Sequence, residues 1–310
     1  MTIISASYKT DIPAFYGDWF RARRMAGSCD VRNVWNGKTF RVSLRDADCS
    51  GFVFWTRNAK PFLAELARTA QTRPFVVQYT VTGYPRALER AVVAPDAAID
   101  NLRFISDVYG SRAAVWRYDP VVITDATPAA WHIDNFTRIA GALAGHLDEV
   151  VVSFAQIYRK TRRNLDRAAV ETGNSWAEPD DAARRELLAQ LRDIAGQNGL
   201  NLTVCAQPAL EIDHEPARCI DSARLDAVAA FLGHPPVSAR TPPANRAARP
   251  GCLCAESRDI GAYETCPHGC VYCYAVSRPE KARQAHKTHD PNAAILGLAT
   301  VTAPKENLPA

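Results

Sequence analysis

The chain has 310 residues, 47% hydrophobic and 23% charged, which is the composition of a folded globular protein and excludes a disordered or fibrous one. Its 37 basic and 33 acidic side chains leave a formal charge of +4, too small to demand a nucleic acid and too small to exclude one. No apolar run reaches the roughly 20 residues of a membrane helix, and no basic stretch followed by a long apolar block opens the chain, so neither a membrane nor a secretory destination is expected.

Six short runs rich in β-branched and aromatic residues read as strands, at 3–7, 51–56, 75–80, 113–118, 150–154 and 201–205. Most are apolar on both faces, as parallel strands covered by helices are. Helices are predicted between them. The first spans 14–25, entered at Pro13 and followed by Gly27, and the second spans 60–69, with Leu63, Leu66 and Ala67 at helical spacing. A third, 96–109, aligns Ile99, Leu102, Ile105 and Val108 and stops at Gly110; a fourth, 128–143, aligns Ile133, Phe136, Ile139 and Leu143. The clearest runs over 179–197, with Pro179, Asp180 and Asp181 at its start, Leu187, Leu188, Leu191 and Ile194 on one face, and Gly199 beyond its end. The alternation is that of a parallel α/β sheet or barrel. Residues 174–181 read as a loop, the proline-rich segment 234–250 as a linker or surface loop, and the end of the chain beyond 304 as a frayed tail.

The cysteines carry the chemistry. Five of the nine fall between Cys252 and Cys273. An odd count crowded into one segment, without an export signal, points to metal ligation in a reducing, cytoplasmic compartment instead of a disulfide framework. Cys266, Cys270 and Cys273 are spaced Cys-x3-Cys-x2-Cys, with Pro267 and Gly269 to turn the loop. Three thiolates so placed can wrap a four-iron cluster and leave one iron open for an outside ligand. Zinc is the alternative, with Cys270 and Cys273 as a half-site completed by His268 or Cys266. Cys205, Cys219, Cys252 and Cys254 are candidates for a second site, an auxiliary iron–sulfur cluster or zinc, against the plainer reading of buried thiols. Cys29 and Cys49 are assigned to packing.

The string Cys266-Pro267-His268-Gly269-Cys270-Val271-Tyr272-Cys273-Tyr274-Ala275 resembles the cluster loop of radical S-adenosylmethionine (SAM) enzymes, and most of all that of spore photoproduct lyase and its relatives. Over residues 3–275 the chain also resembles a family of uncharacterised proteins, domain of unknown function 1848. The pieces that carry this likeness are Thr10-Asp11-Ile12-Pro13, Phe54-Trp55-Thr56-Arg57-Asn58, Gln78-Tyr79-Thr80, Trp116-Arg117-Tyr118-Asp119-Pro120, Ser153-Phe154 and Asp259-Ile260-Gly261-Ala262-Tyr263. The first departs from the pattern at Tyr8-Lys9, where an arginine is expected.

In radical SAM enzymes the cluster loop follows the first strand, near the N-terminus; here it lies near the C-terminus. Circular permutation reconciles the two. Residues 259–263 become the first strand of a partial (β/α)6 TIM-like barrel, 3–7 the second, and the runs from 51, 75, 113 and 150 the rest, leaving 201–205 as an extra edge strand. The expected organisation is then 1–205 for barrel strands two onward, 206–258 as a cysteine-containing connector, 259–304 for the first strand, cluster loop and following helix, and 305–310 as a tail, in one structural domain.

Barrel sites lie at the C-terminal ends of strands, where this sequence places Thr10, Asp11, Thr56, Arg57, Thr80, Arg117, Asp119 and Ser153. The resemblance implies that such residues, with Tyr272, hold SAM. Arg117 suits a bidentate grip on its carboxylate, although Arg117 and Asp119 can equally pair with each other. It further implies a [4Fe-4S] cluster that cleaves SAM to a 5′-deoxyadenosyl radical, and an electron donor such as flavodoxin or ferredoxin. The substrate is left unnamed, a nucleic acid base being the class that the lyase suggests. The competing expectation is a zinc-stabilised nucleic-acid-binding protein, for which Tyr158, Arg159, Lys160, Arg162 and Arg163 form a basic, aromatic-led stretch.

Overall fold

The computed structural model describes residues 1–34, 36–213, 215–238 and 252–298. The expected tail at 305–310, the last residues of the 259–304 span and most of the proline-rich connector lie outside the described residues.

The strands are β1 (Thr2–Ala6), β2 (Ser28–Arg32), β3 (Thr39–Ser43), β4 (Cys49–Thr56), β5 (Phe75–Thr80), β6 (Ala114–Val121), β7 (Ile123–Thr124), β8 (Glu149–Phe154), β9 (Trp176–Ala177), β10 (Asn201–Val204), β11 (Glu215–Pro216) and β12 (Ser257–Asp259). The helices are α1 (Ile12–Phe15), α2 (Gly17–Ala26), α3 (Leu63–Ala70), α4 (Pro95–Tyr109), α5 (Ala129–Leu143), α6 (Arg159–Thr172), α7 (Asp181–Gln197), α8 (Ser222–Phe231) and α9 (Pro279–Thr288).

Eight strands form one sheet in the order β11-β10-β8-β6-β5-β4-β1-β12, and every neighbouring pair is parallel. The central strands β4, β5 and β6 are buried along nearly their whole length, which is why their sequences read as continuous apolar runs. Helices end where local chemistry dictates. The Asp180 carboxylate caps α7 by accepting the Ala183 N–H at 2.8 Å, and Gly27, at φ +72, lets the chain leave α2 in the left-handed region. Leu187, Leu188, Leu191 and Ala195 of α7 enter the main core, which also takes in Ile3, Ile260 and Leu296 from the two ends of the described chain.

Read from β12, the sheet order is β12, β1, β4, β5, β6, β8, the order expected for these strands, and it continues to β10 and β11. β12 pairs with β1 in parallel register, Ile3 opposite Ser257 and Ser5 opposite Asp259. Its bounds need correction: the strand is Ser257–Asp259, not 259–263. The chain leaves the sheet where it presses on Ser7, because a Cβ at Gly261 would stand 1.9 Å from the Ser7 Oγ. The expected edge strand at 201–205 is not the edge, since β11 lies outside it. The β2–β3 hairpin, helix α6 and the short β7–β9 pair were not expected. The expected helix 14–25 is divided at Tyr16 into α1 and α2. Among the described residues no helix is long and apolar enough to cross a membrane.

Candidate metal centre

The Cys266–Cys273 loop leaves the sheet after β12 and is stitched to the segment between β5 and α4. The Ala91 N–H donates to the His268 carbonyl at 2.9 Å, the Val271 N–H to the Leu88 carbonyl at 3.0 Å, and Cys270 bridges Glu89 in antiparallel fashion. Gly269 turns at φ +72, and a side chain there would also crowd Arg90. On the far side Glu264 accepts the Ser277 N–H at 2.8 Å. Val271 and Tyr272 pack with Tyr84, Leu88 and Leu165 into a second, smaller core, so the loop has its own apolar seat.

All three thiols are influenced by burial and by one another. Burial holds Cys266 well above the ordinary thiol range, with Asp11, Cys273 and Cys270 adding to it. Burial also pushes Cys270 up to about 12, against the pull of Arg57. It raises Cys273 too, opposed by the N–H groups of Ala275 and Val276 and by Arg57 and Lys160. A buried thiol among such neighbours stays protonated until a metal takes the proton's place.

His268 is engaged elsewhere. Its Nε2 lies 2.7 Å from the Asp11 Oδ2, and its Nδ1 faces the Ala91 carbonyl at 3.4 Å. Asp11 also accepts the Arg57 N–H at 2.7 Å and caps α1 through the Ala14 N–H at 2.9 Å. Beneath Cys270 is a buried charged group. Arg57 reaches Glu89 at 2.6 Å and the Tyr272 hydroxyl at 2.6 Å, Tyr272 donates to Glu89, and Thr82 donates to Glu89 at 2.5 Å. Burial opposes the charge on Arg57, yet Glu89, Tyr272 and Cys270 hold it well above its ordinary value.

These contacts locate several of the residues expected at the site. Tyr272, read as a nucleoside contact, has its ring in the smaller core and its hydroxyl committed to Arg57 and Glu89. Arg57 anchors the loop. The Thr56 Oγ1 accepts the Asn58 N–H at 2.9 Å, a local turn. Thr10 is buried and its Oγ1 has no partner among the described residues. Thr80 borders a cleft that also exposes Thr82, Arg86 and Glu89. Glu89, which the sequence leaves open between a solvated loop residue and a substrate contact, is buried and paired with Arg57; Thr82, in the same loop after β5, carries no local signal.

Arg117 lies with a different group. It reaches Asp119 through Nε at 3.0 Å, Gln78 at 3.1 Å and the Cys219 Sγ at 3.1 Å, and stacks over the Trp55 ring at 5.0 Å; Ser153 donates to Asp119. The pairing of Arg117 with Asp119 is therefore present, and the guanidinium fork is spent within the protein. Cys219 and Cys205 lie beside it, and Cys254 and then Cys252 continue the group from Cys219. Cys29 and Cys49 are buried in the main core. Among the described residues, no group of three or more His, Cys, Asp or Glu side chains stands ready around one metal ion.

The chain belongs to the family described as Domain of unknown function (DUF1848), whose match spans residues 3–275. No curated protein and no solved structure matches it.

Proposed function

We propose that this member of the family is a radical SAM enzyme built on a circularly permuted (β/α)6 TIM-like partial barrel, with a [4Fe-4S] cluster held by Cys266, Cys270 and Cys273. The carrying observation is the loop of three half-buried thiols, close enough to influence one another, whose histidine is already engaged by Asp11. With Nε2 held by Asp11, a zinc site completed by His268 would have to take its Nδ1, which faces the Ala91 carbonyl at 3.4 Å. A four-iron cluster needs only the three sulfurs, and because each would take a different iron they need not converge on one point. When bound, the cluster would supply the electron that cleaves SAM to methionine and a 5′-deoxyadenosyl radical.

The protein's own residues bind, orient and shield. Glu89 and Tyr272 fix Arg57 next to Cys270, and Arg57 and Lys160 bring positive charge toward Cys273, offsetting the negative charge of a thiolate-ligated centre. The unpartnered Thr10 Oγ1, buried in the loop between β1 and α1, is a polar atom free to meet a ligand. A polar row crosses the sheet beside it: Asp259 accepts from Ser5 at 2.7 Å, Ser5 accepts from the Trp55 indole at 3.1 Å, and Trp55 lies against Arg117. SAM and substrate would lie along this row, and an electron donor such as flavodoxin or ferredoxin would approach the loop.

For the substrate, a nucleic acid base is the reading we favour. The basic first turn of α6 borders the loop region: Arg163 donates to the Ser277 carbonyl at 3.0 Å, and Lys160 lies 5.8 Å from the Tyr263 ring centre. Arg159 and Arg162 of the same turn are exposed, where they can meet phosphates.

Anaerobically purified protein should carry about four irons per chain, with matching sulfide, and lose them when Cys266, Cys270 and Cys273 are all changed to Ala. Reduced, loaded protein should release 5′-deoxyadenosine from SAM. Full iron content in the triple variant would overturn the assignment.

A further inference from the structure

Four cysteines outside the loop meet where three chain segments converge. Cys205 follows β10, Cys219 precedes α8, and Cys252 and Cys254 precede β12. The Cys205 and Cys219 sulfurs are 3.5 Å apart. The Cys254 side chain lies close enough to Cys219 on one side and to Cys252 on the other to influence both. The backbone holds the segments together: the Ala255 N–H donates to the Ile220 carbonyl at 2.8 Å, and the Ile220 N–H to the Cys254 Sγ at 3.4 Å. The Arg117 guanidinium, buried, donates to the Cys219 Sγ at 3.1 Å.

We infer that Cys205, Cys219, Cys252 and Cys254 form a second metal site, a tetrathiolate for one soft divalent cation of the zinc type. Packing accounts for a buried thiol singly, but not for four thiols drawn from three segments into mutual contact. The separation also suits one ion. Zinc–sulfur bonds of about 2.3 Å in a tetrahedron put the sulfurs about 3.8 Å apart, close to the separation of Cys205 and Cys219. Thiolates on separate irons of a cluster would stand farther from one another. Four thiolates around a divalent ion carry a net double negative charge, which Arg117 and the Ile220 N–H are placed to offset. The thiols form a run of contacts and not a closed tetrahedron, in keeping with the lack of a group ready around one ion among the described residues. Cys252, half-buried at the end of the run, closes it by side-chain rotation.

The site is independent of the proposed cluster, and the test keeps them apart. The full chain carrying Cys266→Ala, Cys270→Ala and Cys273→Ala is expressed with zinc and assayed for metal. About one zinc per chain is expected, lost when Cys252→Ser and Cys254→Ser are added. In case that variant fails to fold, metal-free protein with the loop substitutions is titrated with Co2+; the intense visible bands and sulfur-to-cobalt charge transfer of a tetrathiolate should saturate at one equivalent. Absence of both zinc and cobalt bands overturns the site. So does iron surviving the loop substitutions, which would make it an iron–sulfur site, or a Cys205–Cys219 disulfide in protein isolated under argon.

Discussion

The Nε2 of His268 lies 2.7 Å from the Oδ2 of Asp11, a residue 257 positions earlier in the chain. Through that carboxylate the Cys266–Cys273 loop, the start of α1 and the end of β4 are joined at one buried point. Asp11→Asn preserves size and an acceptable helix cap, but gives up the charged acceptor that holds His268. Iron affinity should fall by roughly tenfold, as when a partner that orients a metal ligand is lost, while far-UV circular dichroism is unchanged. Undiminished iron retention during anaerobic desalting would show the anchor to be dispensable.

In the pair Arg57–Glu89 the carboxylate is buried and the guanidinium largely so. Removing one member strands the other charge, so Glu89→Gln should cost about 3–5 kcal/mol in urea denaturation. The double change Arg57→Met with Glu89→Leu removes both charges and should lie closer to wild type than Glu89→Gln alone. A double variant at least as unstable as the single one would mean that packing, not charge, dominates.

Gly261 lies where β12 gives way to the loop, with the Ser7 Oγ 1.9 Å and the Ser7 Cβ 2.5 Å from where its Cβ would be. Gly261→Ala should therefore destabilise by about 1–3 kcal/mol. Adding Ser7→Gly, which removes both clashing atoms, should recover part of the loss. No recovery in the thermal midpoint would place the strain elsewhere.

His132 accepts from the Tyr118 hydroxyl at 2.8 Å and faces the Val122 carbonyl at 3.1 Å. Burial pushes its pKa down from 6.5 to about 4. The unfolded chain therefore binds the extra proton first. The stability that the neutral ring contributes is complete above pH 6.5 and is lost as pH falls toward 4. At about 1.4 kcal/mol per unit the loss amounts to roughly 3 kcal/mol. His132→Gln should lower stability at neutral pH yet flatten its decline between these limits. An unchanged slope in urea midpoints against pH would show that His132 does not govern it.

Local patterns in the sequence were enough to identify six strands of the main sheet, β1, β4, β5, β6, β8 and β10, and the main helices between them, because apolar spacing, entry prolines and exit glycines act within a few residues. They also singled out Cys266, Cys270 and Cys273, whose spacing is itself the chemical signal; the place of a strand beside β1 was implied by the family resemblance and not by any local pattern. Helix α6 escaped notice because a basic run of Arg and Lys masked its apolar stripe of Leu165 and Ala168. Only the tertiary structure decided which buried polar groups meet. Glu89 faces Arg57 and Tyr272 because β4 and β5 pair in parallel and the loop folds back over their ends. Arg117 meets Cys219 because β10, the turn before α8 and the segment before β12 converge beside β6. A buried charge must find a partner, and that partner is chosen by sheet pairing between residues far apart in the chain, which no local spacing records.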